Sequence, residues 1–152
     1  MFIADENQTG IARTGSMLAS YAIDDAQSQS KPDVLILGKA LSGGVLPVSA
    51  VLANDSIMLC IKPGEHGSTY GGNPLACAVA MEALNVVRDE NLTQRALEMG
   101  ALFLDGLRQI AAKFTLITEV RGKGLLTAIV LMRMKKVIWP GISVSNLKKM
   151  DF

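Results

Sequence analysis

The chain has 152 residues, a formal net charge of +1, and 49% hydrophobic against 19% charged residues. That length and composition describe a globular chain with a core of its own and exclude a disordered polypeptide. The near-neutral balance argues against nucleic acid as a partner, and a single histidine, His66, excludes a histidine-rich metal centre.

Met1 leads at once into an apolar strand, Phe2-Ile3-Ala4, with no basic segment ahead of an apolar one. The chain therefore reads as entering a larger fold at its first strand. That strand, expected to be buried, ends in Asp5-Glu6, and Asn7-Gln8-Thr9-Gly10 turns the chain into a polar loop running to Gly15. Ser16 to Ile23 is expected as a short helix and Asp24 to Pro32 as a surface loop. Val34-Leu35-Ile36-Leu37 then reads as a fully buried strand, with Gly38-Lys39 at its end and small residues and a glycine pair, Gly43-Gly44, beyond. Another strand is expected over 47–52, and a short helix from Asn54 or Asp55 to Ile61, broken by Pro63-Gly64.

Residues 65–72 form a small, polar, glycine-rich loop. Asn73 then reads as an N-cap with Pro74 in the first helical turn. The helix from there to Asp89 is so rich in Ala, Leu, Met and Val that it is expected to be buried on most sides. A second helix, Leu92 to Phe114, carries Leu92, Ala96, Met99, Phe103, Leu107, Ile110 and Phe114 at helical spacing as one stripe. Thr118 to Leu131 reads as two strands around a bend at Gly122-Lys123-Gly124. Alternation of strands and helices predicts an α/β architecture with parallel strands. No apolar run is long enough to cross a bilayer, since Ala76 to Val87 is interrupted by Glu82 and Asn85. Cys60 and Cys77 lack metal-ligand spacing and are expected as reduced core residues. From Met132 the chain turns basic, with Arg133, Lys135, Lys136, Lys148 and Lys149 against Asp151.

Taken alone, Lys39 reads as a strand-end lysine whose stem lies along the surface, Asp5 as a cap or surface acid, and Ser68-Thr69 as an ordinary turn. Taken together they read differently, because ligand groups in parallel α/β sheets gather at the carboxyl ends of strands. A strand-end aspartate can pair with a protonated ring nitrogen and a strand-end lysine can attack an aldehyde. Hydroxyls and amides of a glycine-rich loop near a helix start can hold a phosphate. Those are the three reactive parts of pyridoxal phosphate. Gly38-Lys39 is not a P-loop, because the required glycine spacing and the following Ser or Thr are absent.

The run from Phe2 to Gly10 with Arg13-Thr14-Gly15, the run 38–44, the strand 47–52 and the run 63–75 resemble the class III pyridoxal-phosphate-dependent aminotransferases. The resemblance covers residues 2–131. It implies part of the large domain of a fold-type I transferase over 1–91, a connecting helix and the start of the small C-terminal domain over 92–131, and a divergent basic tail over 132–152. It implies that Lys39 carries the Schiff base and shuttles a proton, and that Asp5 keeps the ring nitrogen protonated. Gln8 would bond the ring hydroxyl, and Ser68 and Thr69 would bind the phosphate from the neighbouring subunit of a homodimer or higher homo-oligomer.

Within the family the likeness is to members that move the δ-amino group of L-ornithine to 2-oxoglutarate, in the mitochondrial matrix or the cytoplasm. Members acting on acetylornithine or 4-aminobutyrate share the general pattern. Asn7 stands where the family usually has an apolar residue, and the segment 22–31 is longer than usual. The likeness is expected to stop at Leu131, as a shifted reading frame or retained non-coding sequence would cause. A chain holding only this span is expected to have little transaminase activity. The alternative expectation is a non-catalytic fragment that only associates with other subunits.

Overall fold

The computed structural model describes residues 1–22 and 31–132. The loop read over 24–32 therefore lies mostly outside the described residues, as does the basic tail with Trp139. Three strands form one sheet in the order β1 (Ile3–Asp5), β2 (Val34–Leu37), β3 (Ala50–Ala53). A short helix, α1 (Asp55–Met58), follows β3, and two long helices come next, α2 (Pro74–Asp89) and α3 (Leu92–Ala111). The described chain closes in a hairpin of β4 (Ile117–Lys123) and β5 (Leu126–Leu131). No helix among the described residues is long and apolar enough to cross a membrane.

The α/β expectation holds, but the parallel one holds only for the first pair. β1 and β2 are parallel, with Ile3 opposite Val34 and Asp5 opposite Ile36. β3 returns antiparallel to β2, with Leu37 opposite Ala50. The connection between them holds a 3-10 turn over Lys39–Ser42 and left-handed Gly43 and Gly44 (φ 63° and 82°) rather than a crossover helix, and a parallel return needs such a crossover. The carboxyl ends of β1 and β2 and the start of β3 therefore share one sheet edge.

The core lies on one face of this sheet. Ala4, Leu35 and Leu37 point into it and meet Ile11, Leu18, Leu41 and Ala80. Alternation along the strands puts Ile3 and Asp5 on the other face, where both are exposed. Ile3 is thus not the buried residue expected; Phe2, ahead of the strand, is exposed as well, and Val34 and Ile36 are only half-buried. The helix expected from Ser16 is limited to a 3-10 turn, Ala19–Ala22.

α2 starts and stops where the sequence placed it, and the Asn73 side chain accepts from the Ala76 N–H at 2.8 Å. Its burial is narrower than expected. Ala76 and Ala80 are buried, but Leu75 and Met81 are 66% and 63% exposed, because no described element lies over that side. On α3 the buried line is Ala96, Gly100 and Leu104, offset from the expected stripe, and Phe103 and Ile110 are exposed; the helix ends at Ala111, short of the expected Phe114, which is exposed beyond it. The offset follows from how α3 meets the hairpin. Cys60 and Cys77 are both exposed thiols rather than core residues.

Three backbone segments cross at α3. A methyl group at Gly100 would collide with the carbonyl of Gly124, in the β4–β5 turn. A methyl group at Gly124, whose φ is +56°, would lie 2.8 Å from the Arg13 carbonyl oxygen and 2.6 Å from the Thr14 carbonyl carbon. The Leu125 N–H donates to the Arg13 carbonyl at 2.9 Å and clamps the same crossing. Only glycines permit so close an approach. Gly124→Ala combines a disfavoured φ with overpacking, and should cost about 2–4 kcal/mol in urea unfolding. Gly106, also on α3, has open space around it, so Gly106→Ala should instead stabilise by about 0.5–1 kcal/mol in the same measurement.

Candidate functional site

Lys39 leaves β2 at the shared sheet edge. It is exposed, and its φ of +47° is left-handed, an uncommon conformation for a residue with a Cβ. The turn that imposes this is pinned at its far end by buried Ser42. The Ser42 hydroxyl donates to the Leu46 carbonyl and accepts from the Leu46 N–H. Within the turn, the Leu41 N–H donates to the Gly38 carbonyl at 3.1 Å and the Gly43 N–H to the Ala40 carbonyl at 2.9 Å.

Two cavities open on either side of Lys39. The first, about 470 Å³, is bounded by Lys39, the approach to β3 at Ser49, the loop at Ser68 to Gly72 and the start of α2. Ser68 lies in this cavity within the same chain, and its Oγ accepts from the Gly71 N–H at 3.0 Å. The capped N-terminus of α2 carries partial positive charge and adjoins the cavity through Asn73 and Ala76. The second cavity, about 660 Å³, is bounded by Lys39, Asn7, Gln8 and Arg13 on its polar side and by Ile11, Val87, Leu125 and Leu126 on its apolar side. Neither lining contains an acidic residue, and the second holds two cationic side chains.

Of the residues singled out from sequence, Lys39 thus shares one cavity with Ser68 and the other with Gln8. Asp5 and Thr69 line neither. Asp5 belongs to the same sheet edge but points to the face opposite the core, where its Oδ1 accepts from the Asn7 N–H at 3.1 Å. Thr69 is exposed in the same loop as Ser68, and His66 is exposed as well. Lining residues beyond those expected include Arg13, Cys77 and Asn7. Arg13 forms no ion pair among the described residues, and its neighbourhood to a polar turn was the available signal. Cys77 follows the Asn73 cap by one helical turn, which places it at the cavity mouth. Asn7 was noted only as a departure from an apolar residue.

Glu6 was also missed, because the sequence offers no partner for it nearby. It is 3% exposed. Its carboxylate accepts from the Ala19 and Ser20 N–H groups, each at 2.7 Å, and from the Thr9 hydroxyl at 3.2 Å. Burial pushes its acidity down. The hydrogen bonds, with the nearby Ser20 hydroxyl (itself short of full hydrogen-bond geometry), outweigh that, so the carboxyl titrates below its ordinary value.

The chain matches the family described as Aminotransferase class-III over residues 1–143. It belongs to that family. It is 60% identical over 131 residues to the mitochondrial ornithine aminotransferase of Drosophila melanogaster, an alignment covering 86% of this chain and 29% of that protein. The solved ornithine aminotransferase of Toxoplasma gondii is similar with a TM-score of 0.78 at 51% identity, over 86% of this chain and 30% of that one. That structure is described as having partial occupancy of PLP at its active site. The solved acetylornithine aminotransferase of Elizabethkingia anophelis has a TM-score of 0.77 at 62% identity, over 86% of this chain and 31% of that one. The α/β fold is therefore that of known aminotransferases, and the chain spans about a third or less of the relatives it matches.

A carboxyl whose folded value is lowered adds stability that is complete above 4.5, the ordinary glutamate value, and is lost as the pH falls through the lowered one. Glu6→Gln turns an amide toward two N–H donors and should cost about 1–3 kcal/mol at pH 7. The gap between the two proteins, read from urea midpoints, should close as the pH falls below 4.5. A gap that persists in acid would show that the loss is steric.

Proposed function

We propose that this chain carries the lysine side of the active site of an ornithine aminotransferase. The reaction moves the δ-amino group of L-ornithine to 2-oxoglutarate, giving glutamate 5-semialdehyde and glutamate. The semialdehyde cyclises to pyrroline-5-carboxylate, which links arginine catabolism to proline biosynthesis. The observation that carries the reading is the position of Lys39. It sits at the carboxyl edge of the parallel pair, in a strained conformation, between two cavities without acidic lining.

The residues present suit pyridoxal 5'-phosphate. The Ser68 loop and the N-terminus of α2 offer a hydroxyl, amides and positive potential to a phosphate. When bound, pyridoxal phosphate supplies an aldehyde and an electron-accepting ring. Lys39 Nζ would hold the aldehyde end of the cofactor and could take and return a proton at the substrate carbon, and Gln8 would orient the ring hydroxyl. Asp5, at the same sheet edge but outside both cavities, would hold the proton on the ring nitrogen only if the ring reaches past that edge. Thr69, exposed beside Ser68, reaches the phosphate of a second copy in a homodimer or higher homo-oligomer. Arg13, cationic and unpaired among the described residues, favours an anionic substrate in the second cavity. Residues 1–91 are assigned to the large domain and 92–131 to the connection and the start of the small domain. The site of action is the mitochondrial matrix or the cytoplasm.

The similarity to the Elizabethkingia acetylornithine enzyme favours a second reading, in which N-acetylornithine is the donor. A third follows from Asp5 and Thr69 lying outside both cavities: the chain associates with other subunits without turnover. One experiment separates the three. The purified chain is mixed with pyridoxal phosphate, reduced with borohydride and mapped by peptide mass. An adduct concentrated at Lys39, abolished in Lys39→Ala, is expected. Amino-group transfer from ornithine rather than N-acetylornithine decides the substrate. Labelling scattered over surface lysines would overturn the cofactor reading, and Lys39 labelling without transfer from either donor would favour the associating role.

A further inference from the structure

We infer that Asn7 is a positioning residue that sets Lys39 against the end of β1; the inference rests on the assignment of Lys39 above. Asn7 is half-buried and follows β1 by two residues. Its N–H is fixed by the Asp5 carboxylate at 3.1 Å. Its side-chain carbonyl rests on the backbone of Gly38, so closely that a methyl group at Gly38 would collide with it. Ser49 Cβ would lie at 3.6 Å from that same methyl, an ordinary contact, so Asn7 is what closes the space at Gly38.

Gly38 is extended (φ −172°), and Lys39 then enters the left-handed region at φ +47°. The reversal from one to the other directs the lysine stem. A side chain bearing on Gly38 from the β1 side therefore determines where that reversal occurs. Asn7 also lines the cavity that Lys39 and Gln8 share. Asn7 is tied at once to Asp5 by hydrogen bond, to Gly38 by contact and to Lys39 by a common cavity. Nothing reacts at Asn7. It acts through the backbone of its neighbour.

The test is competitive acetylation of the whole chain with trace acetic anhydride, which needs no cofactor. Lys62 and Lys123, both exposed and remote in sequence, serve as internal standards. In Asn7→Ala the reactivity of Lys39 relative to both standards should change about threefold or more, since small displacements at reacting groups have large effects on rate. Asn7→Leu, nearly isosteric, refills the space over Gly38 and should restore the wild-type ratio, and the thermal midpoint should stay close to wild type in both. An unchanged ratio in Asn7→Ala overturns the inference. So does a common change at all three lysines with a lowered midpoint, which marks a merely structural residue. Pyridoxal phosphate labelling of the wild type is run in parallel. Its failure at Lys39 removes the cofactor assignment and leaves the acetylation ratio to decide the role of Asn7.

Discussion

The site depends first on a carboxylate that is not itself in either cavity. Glu6 is next to Asp5, buried, and its N–H bonds to the Ile36 carbonyl at 2.9 Å while its side chain holds the amides of Ala19 and Ser20. One residue thereby fastens the end of β1 to β2 and draws the loop of residues 7–18 back over the core. Gly10 lies against it too, its N–H donating to the Glu6 carbonyl at 2.9 Å. A buried charge is tolerated because charge-assisted hydrogen bonds from fixed amides replace its hydration. Without that anchor the loop bearing Asn7, Gln8 and Arg13 would be tied to the sheet end only through Asn7 and to the hairpin only through Arg13.

The glycine crossing serves the same end from the other side. α3 and the β4–β5 hairpin contribute no side chain of obvious chemistry. They reach the site through backbone approach, Gly100 on Gly124 and Gly124 on Arg13 and Thr14. This brings Leu125 and Leu126 to the apolar wall of the second cavity, opposite Asn7 and Gln8. The loop after β1 is therefore held at one end by a carboxylate and at the other by a hydrogen bond from the hairpin turn. The cavity between them is polar toward the sheet edge and apolar toward the hairpin.

Local signals were the most legible in the sequence. Asn73-Pro74 sets the start of α2 because a cap and a first-turn proline act within a few residues, and Gly122-Lys123-Gly124 sets the hairpin for the same reason. Lys39, Ser68 and Gln8 stand out because strand ends and glycine-rich loops can be read from pattern, and all three line the cavities. What pattern does not hold is which face meets which neighbour. α3 turns Gly100 toward the hairpin rather than Phe103, because close backbone approach outweighs the apolar stripe. Cys60 and Cys77 are apolar enough for a core, yet no described element covers them. Asp5 and Glu6 are adjacent acids, and only the pleat decides that the first faces out and the second in.

Lys39 combines a constrained backbone with a free side chain. Its backbone is held by Asn7 against Gly38, the pinned turn at Ser42 and the left-handed glycines that follow. Its side chain, in contrast, is exposed and borders two cavities at once. A non-glycine residue in the left-handed region costs about 1–2 kcal/mol, so the surrounding structure must hold it there. A snorkelling lysine at a strand end needs no such expense, because any extended backbone lets the stem reach water. A nucleophile does need it, since a fixed Cα limits the volume its amine can sweep. A fixed backbone with a free amine therefore supports the proposed chemical role of Lys39 over the surface one.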